Sequence, residues 1–310
     1  MNSPNAVIEE PTVVKLLDET DQSPSIRQEL LQELEELCEG RRLLSYFSSF
    51  VYPVMMVDQD ADILEGVLQK LDLNRGLTLI INSPGGMGLA AERIVRVCRT
   101  YSKGDFEAIV PKMAKSAATA VCLGANKIWM SDTSELGPID PQATLQVSPD
   151  SPEERMSLSI WNIIESYKEL LKEAVATPGN IEPYLQQLQR YDARQIKQWR
   201  LELELAEDVV IKLLKSGMMK ELSEEDIRER VKILLNPIEL KVHGRPIYWE
   251  KAKEMGLNIE HVENDSRIWQ LVWELYVRSD WYVSNRAGKI VESSKHAFQT
   301  PIPRFPEVQS

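Results

Sequence analysis

Cysteine and histidine are both scarce in this chain, with three of each among its 310 residues. Cys38, Cys98 and Cys122 do not have the spacing of metal ligands, and their odd number predicts no disulfide framework. Cys98 and Cys122 lie in apolar helical sequence, so we interpret them as small core residues of a protein from a reducing compartment. We therefore expect a cytoplasmic protein with neither a metal site nor a cofactor.

Long apolar runs and targeting segments are also missing. The N-terminal residues have no basic region followed by an apolar core, so they do not resemble a signal peptide. The most apolar stretch, Leu43 to Val57, is about 15 residues long and contains Pro53, whereas a membrane span needs about 20 apolar residues. The net charge of −12 disfavours nucleic acid and anionic membranes, which attract clustered Lys and Arg. We predict a soluble protein with neither of these as partner.

Apolar runs typical of strands alternate with helical patterns between residues 43 and 130. The run Leu77 to Ile81 is typical of a strand covered on both faces, and the sequence Gly88 to Tyr101 predicts a helix. This alternation predicts an α/β fold with a mostly parallel sheet and flanking helices. Residues 153–175 and 181–222 are charged, nearly free of glycine and helical in period, so they predict a long helical insertion.

These patterns divide the chain into five predicted parts. They are an N-terminal tail with an amphipathic helix (1–42), the core of the domain (43–150), the helical insertion (151–235), a C-terminal part that returns to the core (236–298) and a flexible tail (299–310). The tail is predicted to be flexible because it contains three prolines.

Two adjacent glycines follow the apolar run at 77–81, in the sequence Asn82-Ser83-Pro84-Gly85-Gly86. Glycines at a strand-to-helix turn let the backbone approach a ligand, and their N–H groups form a cradle for an anion. That anion is either a phosphate or the oxyanion of an acyl-transfer intermediate. The sequence lacks both a phosphate-loop ending and a dinucleotide fingerprint, which favours the oxyanion, and an ordinary turn is the alternative.

Two further motifs follow predicted strands. Ser116 begins a helix of small residues after the strand Phe106 to Val110, at a carboxyl end where α/β sheets place ligands. The alternative is that Ser116 merely caps that helix. The loop Ser134 to Gln142 is rich in turn residues, and a purely structural loop is the alternative there.

Taken together, the three motifs resemble the Clp peptidase/crotonase fold. Their sequences are similar to those of the serine dehydrogenase proteinase family, relatives of signal peptide peptidase A. The matching segments are SPGG (83–86), GLAAERIVRVCR (88–99), VPKMAKSAAT (110–119) and SELGPIDPQ (134–142). The resemblance covers residues 77–142 well, 43–76 loosely and 236–260 in part, and it does not explain the helices of 151–235.

The resemblance implies a serine peptidase. In that family pattern Ser116 takes the position of the nucleophile, and the N–H of Gly85 or Gly86, with that of Ala117, donates to the oxyanion. Lys115 is expected to contact substrate carbonyls or the surroundings of the helix.

The base that would activate Ser116 is left open. Clp peptidases take a histidine from shortly after the serine, but here that stretch holds Asp140, and none of the three histidines falls in it. One candidate is Lys168, or its neighbour Lys172, in a Ser–Lys dyad like that of signal peptide peptidase A relatives. The other is His243, followed by EKAKEMGL (250–257), which resembles a Clp peptidase segment, with Asp140 orienting the histidine.

The expected partners are a polypeptide substrate, further copies of the chain in a homo-oligomer, and a separate partner protein or ATPase, since the chain shows no ATP-binding motif. The helices of 151–222 are candidates for the walls or lids of such an assembly. Two other functions stay open. One is an inactive adaptor or assembly protein with the same fold, and the other is a crotonase-like enzyme acting on a coenzyme A thioester.

Overall fold

The structure is a computed structural model that describes residue 16 and residues 22–148, 151–176, 179–235 and 245–303. The strands are β1 (Arg42–Ser48), β2 (Leu77–Asn82), β3 (Phe106–Ile109), β4 (Met113–Ala114), β5 (Ile128–Met130), β6 (Glu135–Leu136), β7 (Gln142–Ser148), β8 (Ser151–Ser159), β9 (Ile259–His261), β10 (Lys289–Ser293) and β11 (Ala297–Thr300). The helices are α1 (Pro24–Leu37), α2 (Asp58–Leu68), α3 (Gly88–Tyr101), α4 (Ala117–Leu123), α5 (Ile160–Ala176), α6 (Glu182–Leu188), α7 (Ala193–Ser216), α8 (Glu224–Leu235), α9 (Trp249–Glu254) and α10 (Arg267–Asn285).

A seven-stranded sheet in the order β11-β10-β1-β2-β3-β5-β9 forms the centre of the molecule. Strands β1, β2, β3, β5 and β9 are parallel, whereas β10 and β11 run antiparallel at one edge. Two small two-stranded sheets, β4–β6 and β7–β8, lie outside it. The predicted mostly parallel sheet with flanking helices is therefore confirmed.

Both faces of the sheet are covered at its centre, which explains why β2 is mostly apolar and fully buried. On β1, Leu44 and Tyr46 belong to a core with α2, α3 and α4, while Leu43 and Phe47 belong to a second core with α1 and α10. Each such buried apolar side chain stabilises the fold by about 1.5–3 kcal/mol.

A third, smaller core belongs to the part of the chain from β7 to α7 (residues 142–216), which we call the helical module. Its buried side chains include Ile160 and Ile163 of α5 and Ile196 and Trp199 of α7. The C-terminal half of α7 leaves this small core and packs in the main core. One continuous helix therefore fixes the helical module against the sheet domain.

The structure corrects two predicted helix boundaries in the module. The helix predicted over 153–175 begins only at Ile160, because residues 151–159 pair with β7 as an antiparallel strand. Such cross-strand pairing overrides a local helical pattern. The helix predicted over 181–222 is two helices, and the second begins after Asp192, whose carboxylate accepts from the Arg194 N–H at 2.7 Å.

The predicted start of the flexible tail, residue 299, is too early in the chain. Gln299 and Thr300 belong to β11 and pair with Ile290 and Lys289 of β10. The N-terminal tail before residue 16 and the residues after 303 lie outside the described residues. Within the described ranges, no helix has the length and apolar character that crossing a bilayer requires.

Candidate active site

The glycine turn and the Ser116 segment lie side by side at the carboxyl edge of the parallel strands. The turn follows β2, and the serine follows β4, which comes directly after β3. The Ser83 N–H donates to Met113 O at 3.0 Å, and the Lys115 N–H donates to Ser83 O at 3.0 Å. This short parallel pairing fixes the glycine turn against the serine in the region where α/β proteins bind ligands.

The two glycines are required by close backbone approaches. Gly85 has φ +99°, and a Cβ there would lie 2.5 Å from Lys115 O and 2.9 Å from Ser116 Cβ. A Cβ on Gly86 would lie 2.3 Å from Met56 O. No side chain fits at either position, so only glycine lets the turn approach Ser116 at Gly85 and Met56 at Gly86 this closely.

The N–H groups of the two glycines have different surroundings. The Gly85 N–H donates to Ser83 Oγ at 3.1 Å. Gly86 forms a parallel β-bridge with Met56. The backbone N–H and carbonyl oxygen of Met56 form hydrogen bonds with the two residues that flank Gly86. The Gly86 N–H therefore faces away from Met56. Neither the Gly86 N–H nor the Ala117 N–H has an acceptor among the described residues. These two donors are therefore available to a ligand.

Ser116 adopts a strained backbone conformation, with φ 50° and ψ −119° at the start of α4. Such strain in a residue other than glycine costs about 1–3 kcal/mol and is concentrated at functional sites. Its half-buried hydroxyl makes no capping bond to the helix and has no hydrogen-bond partner in the described part of the chain. Ser116 thus occupies the N-cap position of α4, but its hydroxyl does not cap the helix and is available for chemistry.

Thr119 supports this turn from inside the protein. It is fully buried, and its Oγ1 donates to Ala114 O at 2.7 Å and accepts from the Gly137 N–H at 3.1 Å. The hydroxyl thereby connects the segment before Ser116, the helix after it and the 134–142 loop. The sequence offered no reason to single out Thr119, because only the fold brings these three segments together.

Ser116, Gly86 and Pro141 lie between two cavities and line both of them. The first, which we call the apolar cavity, has a volume of about 420 Å³. Its other lining residues are Met87, Gly88, Leu89, Ala117, Ala120, Ile139, Glu202, Leu205, Ala206 and Val209. The second cavity, of about 460 Å³, is also lined by Ser49, Phe50, Tyr52, Pro53, Val54, Met55, Pro84, Gly85, Asp140 and Gln142.

The structure brings Asp140 to the site. This carboxylate is only 2% exposed and lines the second cavity together with Ser116. It accepts from Ser159 Oγ at 3.0 Å and from Gln142 Nε2 at 2.8 Å. These bonds join the 134–142 loop to the β7–β8 hairpin, so Asp140 connects the site to the helical module.

None of the three lysines considered from the sequence lines either cavity beside Ser116. Lys115 Nζ is 2.6 Å from Glu135 Oε1, although the direction of approach lies outside hydrogen-bond geometry, and Lys115 lines neither cavity. Lys168 is about half exposed and pairs with Glu165 at 2.6 Å. Lys172 is exposed on the same helix. The structure therefore does not bring Lys168 or Lys172 to Ser116.

His243 lies outside the described residues, but the residues on both sides of the undescribed stretch are close to the site. Leu234 O accepts from the Ile139 N–H at 2.7 Å. Ile247 exchanges two backbone hydrogen bonds of 2.9 Å with Leu136. The chain thus leaves and rejoins the described structure beside the loop that leads to Asp140.

Glu202 is the acidic residue at the site that the sequence interpretation did not identify. It lies on α7 in line with Leu205, Ala206 and Val209, at the i, i+3, i+4 and i+7 positions of one helix face. A single charge on an otherwise apolar stripe was the available signal in the sequence.

The mostly parallel sheet with flanking helices, and the glycine turn that faces Ser116 at its carboxyl edge, are typical of a ClpP-like α/β protein. Residues 36–152 match the model of the family of ClpP-like SDH-type serine proteinases. The resemblance inferred from the sequence to Clp-like serine proteinases is confirmed. The matched segment contains Ser116, both glycines and Asp140.

Two uncharacterized proteins of Methanocaldococcus jannaschii are similar to the chain. MJ0137 is 27% identical over 217 residues, which are 70% of this chain and 64% of the relative. MJ1495 is 30% identical over 100 residues, which are 32% of this chain and 33% of the relative. The chain thus spans less than two thirds of either relative, and their names assign no activity.

Proposed function

We propose that the protein hydrolyses peptide bonds with Ser116 as the nucleophile. The observation that carries this proposal is the strained Ser116, whose unbonded hydroxyl lies beside the unengaged N–H groups of Gly86 and Ala117. An inactive adaptor would have no use for this strain, which favours catalysis over the adaptor alternative.

The proposed reaction has two steps. Ser116 Oγ bonds to the carbonyl carbon while its proton passes to a base, and the Gly86 and Ala117 N–H groups stabilise the oxyanion. The base then protonates the leaving amine, and the C–N bond breaks. Water next attacks the acyl carbon while the base takes one of its protons. The bond between that carbon and Ser116 Oγ then breaks, the base returns the proton to Oγ, and the carboxylic acid product leaves. Removal of one oxyanion donor is expected to lower kcat by about 10²–10³.

For the base we propose His243, oriented by Asp140. Its support is that the residues on both sides of its stretch contact the loop leading to Asp140. The Ser–Lys alternative has less support because Lys168 is about half exposed and paired, whereas a lysine base needs burial to lower its pKa.

The substrate we propose is a polypeptide, because cavities on both sides of Ser116 suit a chain that continues beyond the reacting carbonyl. Neither cavity is lined by Lys or Arg among the described residues, and such side chains favour binding of coenzyme A phosphates. We also propose a homo-oligomer, supported by the exposed apolar side chains Leu171, Val175, Ile181 and Leu185 of the helical module. A separate ATPase and a cytoplasmic location stay predictions.

Labelling with a fluorescent fluorophosphonate tests the nucleophile. We expect labelling of the native protein and of a Ser157→Ala control, whose serine is exposed on β8, and none of Ser116→Ala at the same oligomeric state. We expect His243→Ala to lower the labelling rate by about 10²–10⁴ and Lys168→Ala or Lys172→Ala to leave it unchanged. Equal labelling of native protein and Ser116→Ala, or of neither, would overturn the proposal.

A further inference from the structure

The apolar cavity has a mostly apolar lining that contains one charged residue among those described. Ala, Leu, Ile, Met, Val and Pro side chains form most of its wall, and among the described residues that line it only Glu202 carries a charge. Its volume of about 420 Å³ lies in the range of small-molecule pockets, about 300–1,000 Å³. A ligand that fills it therefore needs both apolar surface and a group that matches a carboxylate.

The Glu202 carboxylate is not matched by a cation of the protein itself. Its hydrogen bond is with Gln198 Nε2, at a long 3.4 Å. In the described part of the chain, no Lys, Arg or His forms an ion pair with it. Since a charge-assisted hydrogen bond is stronger than a neutral one, a ligand cation would gain by reaching this carboxylate.

The apolar cavity is also better placed than the second cavity to take the residue whose carbonyl is attacked. It is bordered by Gly86 and Ala117, which carry the two available N–H groups, whereas the second cavity is bordered by Gly86 and not by Ala117. When the carbonyl oxygen of the substrate accepts from both N–H groups, the side chain of the same substrate residue lies along the wall of the apolar cavity, which contains both donors.

We propose that the apolar cavity selects a substrate residue with a long aliphatic stem and a terminal cation, lysine or arginine, before the scissile bond. The stem packs against Leu89, Ala120 and Val209, and the cation pairs with Glu202. This inference rests on the proposed peptidase function. It makes Glu202 a specificity determinant contributed by the helical module rather than by the segment that carries Ser116.

A series of quenched peptides that differ only in the residue before the scissile bond tests the inference. We expect kcat/KM for arginine or lysine to exceed that for citrulline, the uncharged analogue of arginine, by about tenfold. Glu202→Gln is expected to remove this preference and leave citrulline and leucine peptides unaffected. Glu204→Gln, an exposed glutamate on the same helix outside the cavity lining, is the matched control and keeps the preference.

A binding measurement separates failure of the inference from failure of the peptidase proposal. In Ser116→Ala, tripeptides ending in arginine are expected to bind about tenfold more tightly than tripeptides ending in citrulline, and less so at high salt. If this ratio holds but no peptide is cleaved, the peptidase proposal fails and the inferred binding preference stands. The inference is overturned if the two tripeptides bind equally well. It is also overturned if Glu202→Gln lowers kcat/KM equally for all peptides of the series.

Discussion

The sheet domain contains buried ion pairs, whereas the ion pairs of the helical module among the described residues are at least partly exposed. In the sheet domain, the buried Asp60 carboxylate lies 2.7 Å from Lys289 Nζ and accepts from the Tyr46 hydroxyl at 3.0 Å. In the module, Lys168 and Glu165 pair at 2.6 Å with the lysine about half exposed. A buried charge is tolerated only with partners in place, whereas water can replace either partner of an exposed pair.

This difference indicates how the two regions share the site. A substitution that alters charge lowers the free energy of unfolding little on an exposed helix face and much beside a buried network of charges. Ser116 and its cradle belong to the sheet domain, and Glu202 belongs to the module. On our proposals, the domain whose structure tolerates little change performs the chemistry, and the more tolerant module selects the substrate.

Breaking one charge pair in each region tests the comparison with the largest expected effect. Lys289→Met leaves the Asp60 carboxylate buried without its cation, and we expect a loss of about 3–5 kcal/mol in the free energy of unfolding. Lys168→Met in the module is expected to change it by less than about 0.5 kcal/mol. Urea denaturation measures both, and comparable losses would contradict the distinction between the regions.

Gly86→Ala sharpens the distinction between chemistry and selection. Its Cβ would overlap Met56 O and N, at 2.3 and 2.4 Å, so the turn and its N–H must shift. We expect fluorophosphonate labelling and cleavage of every peptide to slow by about 100-fold, unlike the selective effect expected of Glu202→Gln.

The control for that variant is Gly66→Ala, an exposed mid-helix position with open space around the added Cβ. It is expected to keep full labelling and to gain about 0.5–1 kcal/mol in the free energy of unfolding. Unchanged labelling in Gly86→Ala would remove this N–H from the proposed cradle.

The smallest expected effect concerns pH. Burial first, and then the Asp60 charge and hydrogen bond, raise the pKa of the Tyr46 phenol. The unfolded chain ionises this group near pH 10, while the folded protein keeps the proton. Stability supplied by the retained proton is therefore complete below pH 10 and falls as the pH rises above it.

The slope of this fall is up to about 1.4 kcal/mol per pH unit. The free energy of unfolding of Tyr46→Phe is expected to be about 1 kcal/mol lower than that of the native protein at neutral pH. Above pH 10 it is expected to fall less steeply with pH than that of the native protein. Urea denaturation from pH 8 to 11 measures the two slopes, and parallel curves would show that Tyr46 does not contribute in this way.

The prediction of α1 shows how far sequence reasoning reached. The stripe of Leu30, Leu31 and Leu34 predicted an amphipathic helix, and these side chains are buried against α10 and the sheet. The same pattern gave no sign that Arg27 is fully buried and paired with Glu292 at 2.7 Å. The partner is far away in the chain, and periodicity describes one helix face without describing what lies opposite it.

Local chemistry determined the elements of the candidate site. The Gly-Gly turn after a buried strand, the serine before a helix of small residues and the order of the strands all follow from glycine conformation, apolar runs and helix starts. These features act over a few neighbouring residues, so they can be recognised from the sequence without any knowledge of distant contacts.

Only the tertiary structure decided how those elements act together. It placed Gly86, rather than Gly85, with an available N–H, because Ser83 and Met56 occupy the other positions. It also brought Asp140 and Glu202 to the two cavities beside Ser116 and left Lys168 on an exposed helix face. These outcomes depend on contacts between segments far apart in the chain, whose geometry is set by the packing of the whole core rather than by local sequence.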